Sequence, residues 1–150
     1  MIAFRTSVRI GRSLAEVFDY VSEPANVPRW NSAVRTVRKL SASESVVGTS
    51  YLMERDLPTG PAENRLEVVS RDEPTEFTIR TMSGPTPFVY RYEFSEEEDG
   101  TTVQLDAQVE LGGVATIVGP LARRAVKKGV DDNLRALKRL LESGRRGPSG

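Results

Sequence analysis

The polar side chains best suited to chemistry in this sequence are Arg55 and Asn64, which stand on two alternating segments flanking a turn at 57–61. If Asp56 pairs with Glu63 across this predicted hairpin, Arg55 and Asn64 face each other on its inward side. The fork of donors on a guanidinium fits a planar oxyanion such as a carboxylate, enolate or phenolate. Alternatively, Arg55 reaches solvent or an acidic neighbour, because arginine is mostly exposed in proteins.

The neighbouring residue pairs of this predicted register can be checked for consistency. It sets Met53 opposite Leu66 and Tyr51 opposite Val68 inside, with an opposite-charge pair outside. It also brings two carboxylates together at the mouth of the turn. A slip of two residues therefore remains open.

Tyr90 and Tyr92 lie on one face of a later alternating segment. Their hydroxyls could donate hydrogen bonds to a ligand carbonyl, or the rings could simply be core. Arg55, Asn64 and Tyr90 are thus the candidate catalytic residues.

Composition restricts the chemistry further. The 150 residues include no His and no Cys, which removes the commonest general base, thiolate chemistry and the usual metal ligands. We therefore predict no metal and no cofactor. Lys plus Arg and Asp plus Glu number 21 each, so nucleic acid and anionic membranes are not expected partners. No apolar run is long enough to span a membrane, and the alternating N-terminus does not resemble a secretory signal, so we expect a cytoplasmic protein.

The elements that must position these residues follow from two periodicities. Residues 2–10 alternate and predict a strand, and Ser13 with Glu16 predicts a capping box that starts a short helix. A second short helix or turn ends at Trp30. Six more alternating segments separated by polar turns then predict an antiparallel meander. After Gly112 and Gly113 the period returns to 3.6, which predicts one long amphipathic helix followed by a disordered tail at 144–150.

This order indicates an α+β fold in which a curved seven-stranded antiparallel sheet wraps around the C-terminal helix. The chain resembles the START-like or Bet v 1-like superfamily over about residues 2–143, which we treat as one domain. Within it, the chain is most similar to the polyketide cyclase/dehydrase branch. The resemblance rests on five segments: SLAEVFDYVSEP at 13–24, PRW ending at Trp30, VGT at 47–49, DGTT at 99–102 and NLRALKRLLE at 133–142.

The resemblance implies a helix-grip fold with a ligand cavity between the sheet and the long helix. On the register above, the residues expected to line it are Trp30, Tyr51, Met53, Arg55, Asn64, Leu66, Phe77, Thr81, Tyr90, Tyr92, Leu121, Ala122, Ala125 and Gly129. Trp30 could be a lid over the cavity or a packing anchor. Ala122, Ala125 and Gly129 could leave space for a ligand or allow close packing of the helix on the sheet.

Three functions remain open at this point. The first is a cavity that binds a small hydrophobic molecule, polyketide-like or lipid-like, and cyclises or dehydrates it by positioning and enolate stabilisation. The second is a non-catalytic carrier, sensor or sequestering protein for a hydrophobic metabolite. The third is a protein-interaction role, which a cavity packed shut would favour. A monomer and a homodimer are both compatible with the sequence.

Overall fold

The computed structural model describes residues 1–41, 46–111 and 120–143. The predicted start of the long helix near Gly112 and the predicted tail at 144–150 lie outside these residues. The elements run in the order β1 (Ile2–Ile10), α1 (Leu14–Val21), a 3-10 helix (Pro24–Arg29), β2 (Val34–Ser41), β3 (Ser50–Leu57), β4 (Gly60–Asp72), β5 (Glu76–Ser83), β6 (Phe88–Glu97), β7 (Gly100–Val109) and α2 (Pro120–Ser143).

The strands form one seven-stranded antiparallel sheet in the order β1-β7-β6-β5-β4-β3-β2. Each strand pairs with its neighbour in sequence, except that β1 closes against β7, with Ile2 opposite Val109 and Ile10 opposite Thr101. The curved sheet and the long C-terminal helix confirm the predicted helix-grip fold. Among the described residues, no helix combines the length and apolar character needed to cross a membrane.

The α1 helix begins where the sequence predicts. The Ser13 hydroxyl accepts a hydrogen bond from the Glu16 amide, and the Glu16 carboxylate accepts one from the Ser13 amide, which forms the capping box. The apolar side of the helix then buries Val17, Phe18 and Val21. This side anchors the helix against the sheet, where the Phe18 ring lies edge-on to Phe94 with centroids 5.1 Å apart.

The register of the β3–β4 hairpin differs by two residues from the predicted pairing of Asp56 with Glu63. The structure shows the two-residue slip that the sequence left open. Met53 lies opposite Asn64, Tyr51 opposite Leu66, and Leu57 opposite Gly60. The connection is therefore a tight two-residue turn closed by Gly60, whose φ is +124°. Turn geometry fixes a hairpin register more strongly than one exposed charge pair, which is worth only tenths of a kcal/mol.

The buried side of α2 uses only the C-terminal part of the apolar stripe that the period of 3.6 residues predicts. It is formed by Val130, Leu134 and Leu137, which pack into the core. The upstream residues expected to face the cavity lie elsewhere: Leu121 is 65% exposed, Ala125 and Gly129 are exposed, and Ala122 is half-buried. Gly129 immediately precedes the buried Val130, and successive residues of an α-helix are rotated by about 100° around its axis. Because of this rotation, Gly129 faces solvent while Val130 faces the core.

Polar side chains of α2 attach the helix to β1 along the edge of the sheet. Lys138 Nζ donates to the Arg9 carbonyl at 2.7 Å, and Arg123 Nε donates to the Ala3 carbonyl at 3.2 Å. Near the end of the helix, the Glu142 carboxylate accepts a hydrogen bond of 2.7 Å from the Gly11 amide. These contacts satisfy backbone groups that an uncovered edge strand would expose.

Candidate ligand-binding cavity

A cavity lies between the inward face of the sheet, the 3-10 helix and α2. The centres of water-sized spheres can occupy about 70 Å³ of it. This is small beside the roughly 300–1,000 Å³ of typical small-molecule pockets, but it exceeds the space that one water molecule needs. Its described lining residues are Val21, Pro24, Val27, Trp30, Asn31, Val34, Val37, Met53, Arg55, Leu66, Phe77, Ile79, Phe88, Tyr90, Tyr92, Leu105, Val130, Asn133 and Leu134.

Seven of the residues proposed from the sequence meet at this cavity: Trp30, Met53, Arg55, Leu66, Phe77, Tyr90 and Tyr92. Three others on the strands do not line it. Tyr51 is buried in the core, and the Thr81 hydroxyl accepts a hydrogen bond from the Phe88 amide at 3.0 Å. Asn64 is fully buried and contacts the Arg55 side chain without reaching the cavity surface. Four residues of α2, Leu121, Ala122, Ala125 and Gly129, are also absent from the lining.

The sequence reasoning missed the wall built by the 3-10 helix and β2. Val27, Asn31, Val34 and Val37 belong to this wall, together with Pro24 and Val21. The 3-10 helix is held by Asn26, whose side-chain amide donates to the Tyr20 carbonyl at 3.1 Å. On the helix side, Val130 and Leu134 line the cavity; the sequence predicts both on the apolar stripe of the helix but not among the cavity residues.

Arg55 is the charged residue of the described lining. No carboxylate of the described residues forms an ion pair with it. Its guanidinium carbon lies 5.8 Å from the centre of the Phe88 ring. Burial lowers the pKa of Arg55, and neighbouring Tyr90 opposes this shift, but an arginine stays protonated at neutral pH. The cavity therefore holds a partly desolvated positive charge without a described counter-ion.

An aromatic row along β6 forms one wall. Phe88 and Tyr90 stack with ring centres 4.4 Å apart, and Tyr92 follows with its ring edge-on to Tyr90 at 6.3 Å. Burial raises the pKa of both tyrosines, so their hydroxyls stay protonated at neutral pH and can donate hydrogen bonds. Neither hydroxyl donates to or accepts from another described residue.

Trp30 lies across the cavity at the end of the 3-10 helix and is 6% exposed. Its indole N–H has no hydrogen-bond partner among the described residues. A buried donor without a partner costs about 1–3 kcal/mol, so an acceptor brought close to it would be favourable. The cavity thus offers donors from Arg55, Trp30 and the two tyrosines, while its side-chain acceptors are neutral amides and hydroxyls and the described lining includes no carboxylate.

The comparisons with known proteins define the class first. A START superfamily protein from Mycobacterium smegmatis superimposes with a TM-score of 0.83 at 16% identity, over 94% of this chain and 97% of that one. A major latex-like protein from Panax ginseng gives 0.69 at 12% identity, over 91% and 94%. These likenesses place the chain in the START-like, Bet v 1-like fold class.

Further comparisons narrow the assignment to a family. The di-domain ARO/CYC StfQ from the steffimycin biosynthetic pathway superimposes with a TM-score of 0.75 at 16% identity, over 97% of this chain and 52% of that one. A family model described as "Polyketide cyclase / dehydrase and lipid transport" matches residues 1–142. The chain therefore belongs to this family. A search of curated protein sequences gave no significant match.

Proposed function

We propose that this protein binds a small, mainly apolar molecule that carries an oxygen-bearing, preferably anionic, head group. The observation that supports this proposal most directly is Arg55, a cation without a described counter-ion on the wall of an apolar cavity. A carboxylate or enolate placed there would supply the missing charge. The apolar remainder of the ligand would lie against the valines, leucines and aromatic rings of the lining.

The other polar groups support an acceptor-bearing ligand. Trp30 N–H and the hydroxyls of Tyr90 and Tyr92 can each donate to a carbonyl or carboxylate oxygen. A cationic ligand would meet no carboxylate on the described wall. Hydrogen bonds to a charged partner are worth about 1.5–3 kcal/mol, so Arg55 would set the preference and the tyrosines would refine it.

Catalysis is a second candidate function, favoured by Arg55 lying beside Tyr90 at the cavity wall and by the family to which the chain belongs. The described lining holds no general base, and burial raises the tyrosine pKa values rather than lowering them. Any cyclisation or dehydration would therefore depend on folding the substrate and stabilising its enolate with Arg55 and Tyr90. Cyclodehydration of 2,4,6-heptanetrione can be followed by absorbance, and a rate above that in buffer would support turnover. A rate equal to that in buffer would favour a non-catalytic carrier or sensor.

Trp30 provides the binding assay, because it is the single tryptophan of the chain and lines the cavity. We expect hexanoate and 1-hexanol to change its fluorescence saturably at pH 7, with hexanoate binding more tightly. Arg55→Met should weaken hexanoate roughly 10- to 100-fold, the equivalent of one charge-assisted hydrogen bond, and should change hexanol affinity little.

Arg65→Met is the matched control, because Arg65 is exposed on the same hairpin and its side chain has no partner among the described residues. It should preserve both affinities.

If wild-type protein binds neither compound, or binds both with equal affinity before and after Arg55→Met, the proposal is wrong. A cytoplasmic location and a monomeric or homodimeric state remain predictions from the sequence.

A further inference from the structure

Asn64 is fully buried, and its side-chain amide is already occupied. Its Oδ1 accepts a hydrogen bond from Arg55 Nε at 2.8 Å. Its Nδ2 donates to the Ser83 carbonyl at 3.1 Å and to the Pro85 carbonyl at 2.8 Å. With both amide protons used and no exposed surface, Asn64 has no donor left for a ligand.

The Arg55 guanidinium is held from a second side by the same loop. Its Nη2 donates to the Pro85 carbonyl at 2.8 Å and to the Thr86 carbonyl at 3.1 Å, and it also contacts the Thr86 hydroxyl. Nε is bound to Asn64. Nη1 is then the guanidinium nitrogen without a hydrogen bond to any described residue, and it remains available to an oxygen in the cavity.

The 83–87 loop, which joins β5 to β6, is fixed by its own backbone. Gly84 has a φ of +102°, and a Cβ built there would lie 2.2 Å from the Glu63 carbonyl oxygen and 2.7 Å from Asn64 Nδ2. This close approach brings the Pro85 carbonyl within reach of both Asn64 and Arg55. The loop and Asn64 therefore form a frame of acceptors around two of the three guanidinium nitrogens.

We propose that Asn64 and the 83–87 loop are positioning elements that direct Arg55 Nη1 at the ligand head group, and so determine the preference for an anion over a neutral oxygen. This inference rests on the proposed function and deepens it. A long, flexible arginine otherwise turns towards water, and a fixed direction is what makes its charge selective. Asn64 acts through Arg55 and does not touch the ligand.

The test compares the ratio of the hexanol and hexanoate dissociation constants, measured by Trp30 fluorescence in the full chain. Asn64→Ala should lower the wild-type ratio at least fivefold, towards that of Arg55→Met. Thr101→Val is the control, because Thr101 is equally buried and loses a comparable hydrogen bond, to the Arg12 carbonyl at 2.9 Å, without contacting Arg55. It should destabilise the fold but keep the ratio.

Asn64→Asp is a second variant of the same size. It keeps an acceptor for Arg55 Nε but replaces the amide donor with an oxygen that faces the Ser83 and Pro85 carbonyls, so the loop should be displaced. We expect hexanoate to bind at least tenfold more weakly while hexanol affinity stays within twofold. If Asn64→Ala does not fold, this variant decides. A wild-type ratio in the folded Asn64 variants, with the ratio lost in Arg55→Met, overturns the positioning role alone. No preference for hexanoate in the wild type overturns both this inference and the proposed function.

Discussion

Gly84 is the residue on which the 83–87 loop depends. It combines a positive φ with a backbone approach that leaves no room for a side chain. Gly60 in the β3–β4 turn also has a positive φ, but a Cβ there would meet no atom within 4 Å. A substitution at Gly60 would introduce backbone strain alone, whereas a substitution at Gly84 would introduce both strain and steric overlap.

We expect Gly60→Ala to lower the free energy of unfolding by about 1 kcal/mol, the cost of strain, and Gly84→Ala by at least about 2 kcal/mol, because strain and overlap add. Urea unfolding of both variants checks this. Gly84→Ala should also reduce the hexanoate preference, since the Pro85 carbonyl must move. Equal destabilisation of the two variants would show that the 83–87 loop moves to accommodate the Gly84→Ala side chain without losing stability.

The contact between Arg55 and Asn64 was anticipated from the sequence, but for a different geometric reason. In the observed register the two residues are diagonal neighbours, and Arg55 lies opposite Ala62. A guanidinium is long enough to reach a diagonal position, so the contact is made in spite of the two-residue slip. The frame around it could not be predicted, because it depends on loop carbonyls whose direction follows from Gly84.

At the level of elements, the strands and helices were predictable because each shows a clear period of 2 or 3.6. The orientation of the first ten residues of α2 was not, because they mix small, apolar and basic side chains. Alanine and glycine carry little burial energy, so Ala125 and Gly129 could be assigned to either side. The large residues Leu134 and Leu137 decide the phase, since burying each is worth about 1.5–3 kcal/mol.

The exposed side of α2 gives a direct test of this phase. A Cβ at Gly129 would meet no atom within 4 Å. Gly129→Ala should therefore stabilise the protein by up to about 1 kcal/mol through helix propensity alone, and it should leave 1-hexanol binding unchanged. Urea unfolding and Trp30 fluorescence measure the two effects. A weakened hexanol affinity would contradict this placement and return Gly129 to the cavity wall.

The end of α2 makes stability depend on pH. Hydrogen bonds from Lys138 and from the Gly11 amide hold the pKa of Glu142 below its ordinary value of 4.5. A depressed folded pKa stabilises the protein above the unfolded pKa, and this stability is lost as the pH falls through the folded value. Glu142→Gln should therefore lower the urea midpoint at pH 7, and the difference from wild type should shrink as the pH is lowered from 7 towards 3.

Glu98→Gln is the control for this experiment. Glu98 is exposed in the β6–β7 turn, and its side chain has no partner among the described residues. Its midpoint should match that of the wild type at both pH values. A Glu142 difference that persists unchanged at pH 3 would mean that the side chain contributes by packing rather than by its charge.

At the scale of the molecule, one buried cluster joins the sheet, α1, Trp30 and α2. The cavity is a gap within this cluster and not a boundary between two units. We therefore expect urea unfolding followed by Trp30 fluorescence to coincide with unfolding followed by far-ultraviolet circular dichroism. Separate transitions would mean that the 3-10 helix and its tryptophan open before the sheet.

The pairing of β1 with β7 has a consequence for how the chain reaches this state. Ile2 lies opposite Val109 in the finished sheet. On a ribosome that adds about 5–20 residues per second, β1 emerges several seconds before its partner strand exists. During that interval its alternating apolar side chains have neither β7 nor α2 to cover them, and closing so large a loop is slow. β1 is thus synthesised long before its partner strand, and the nascent chain must remain unaggregated until β7 is available.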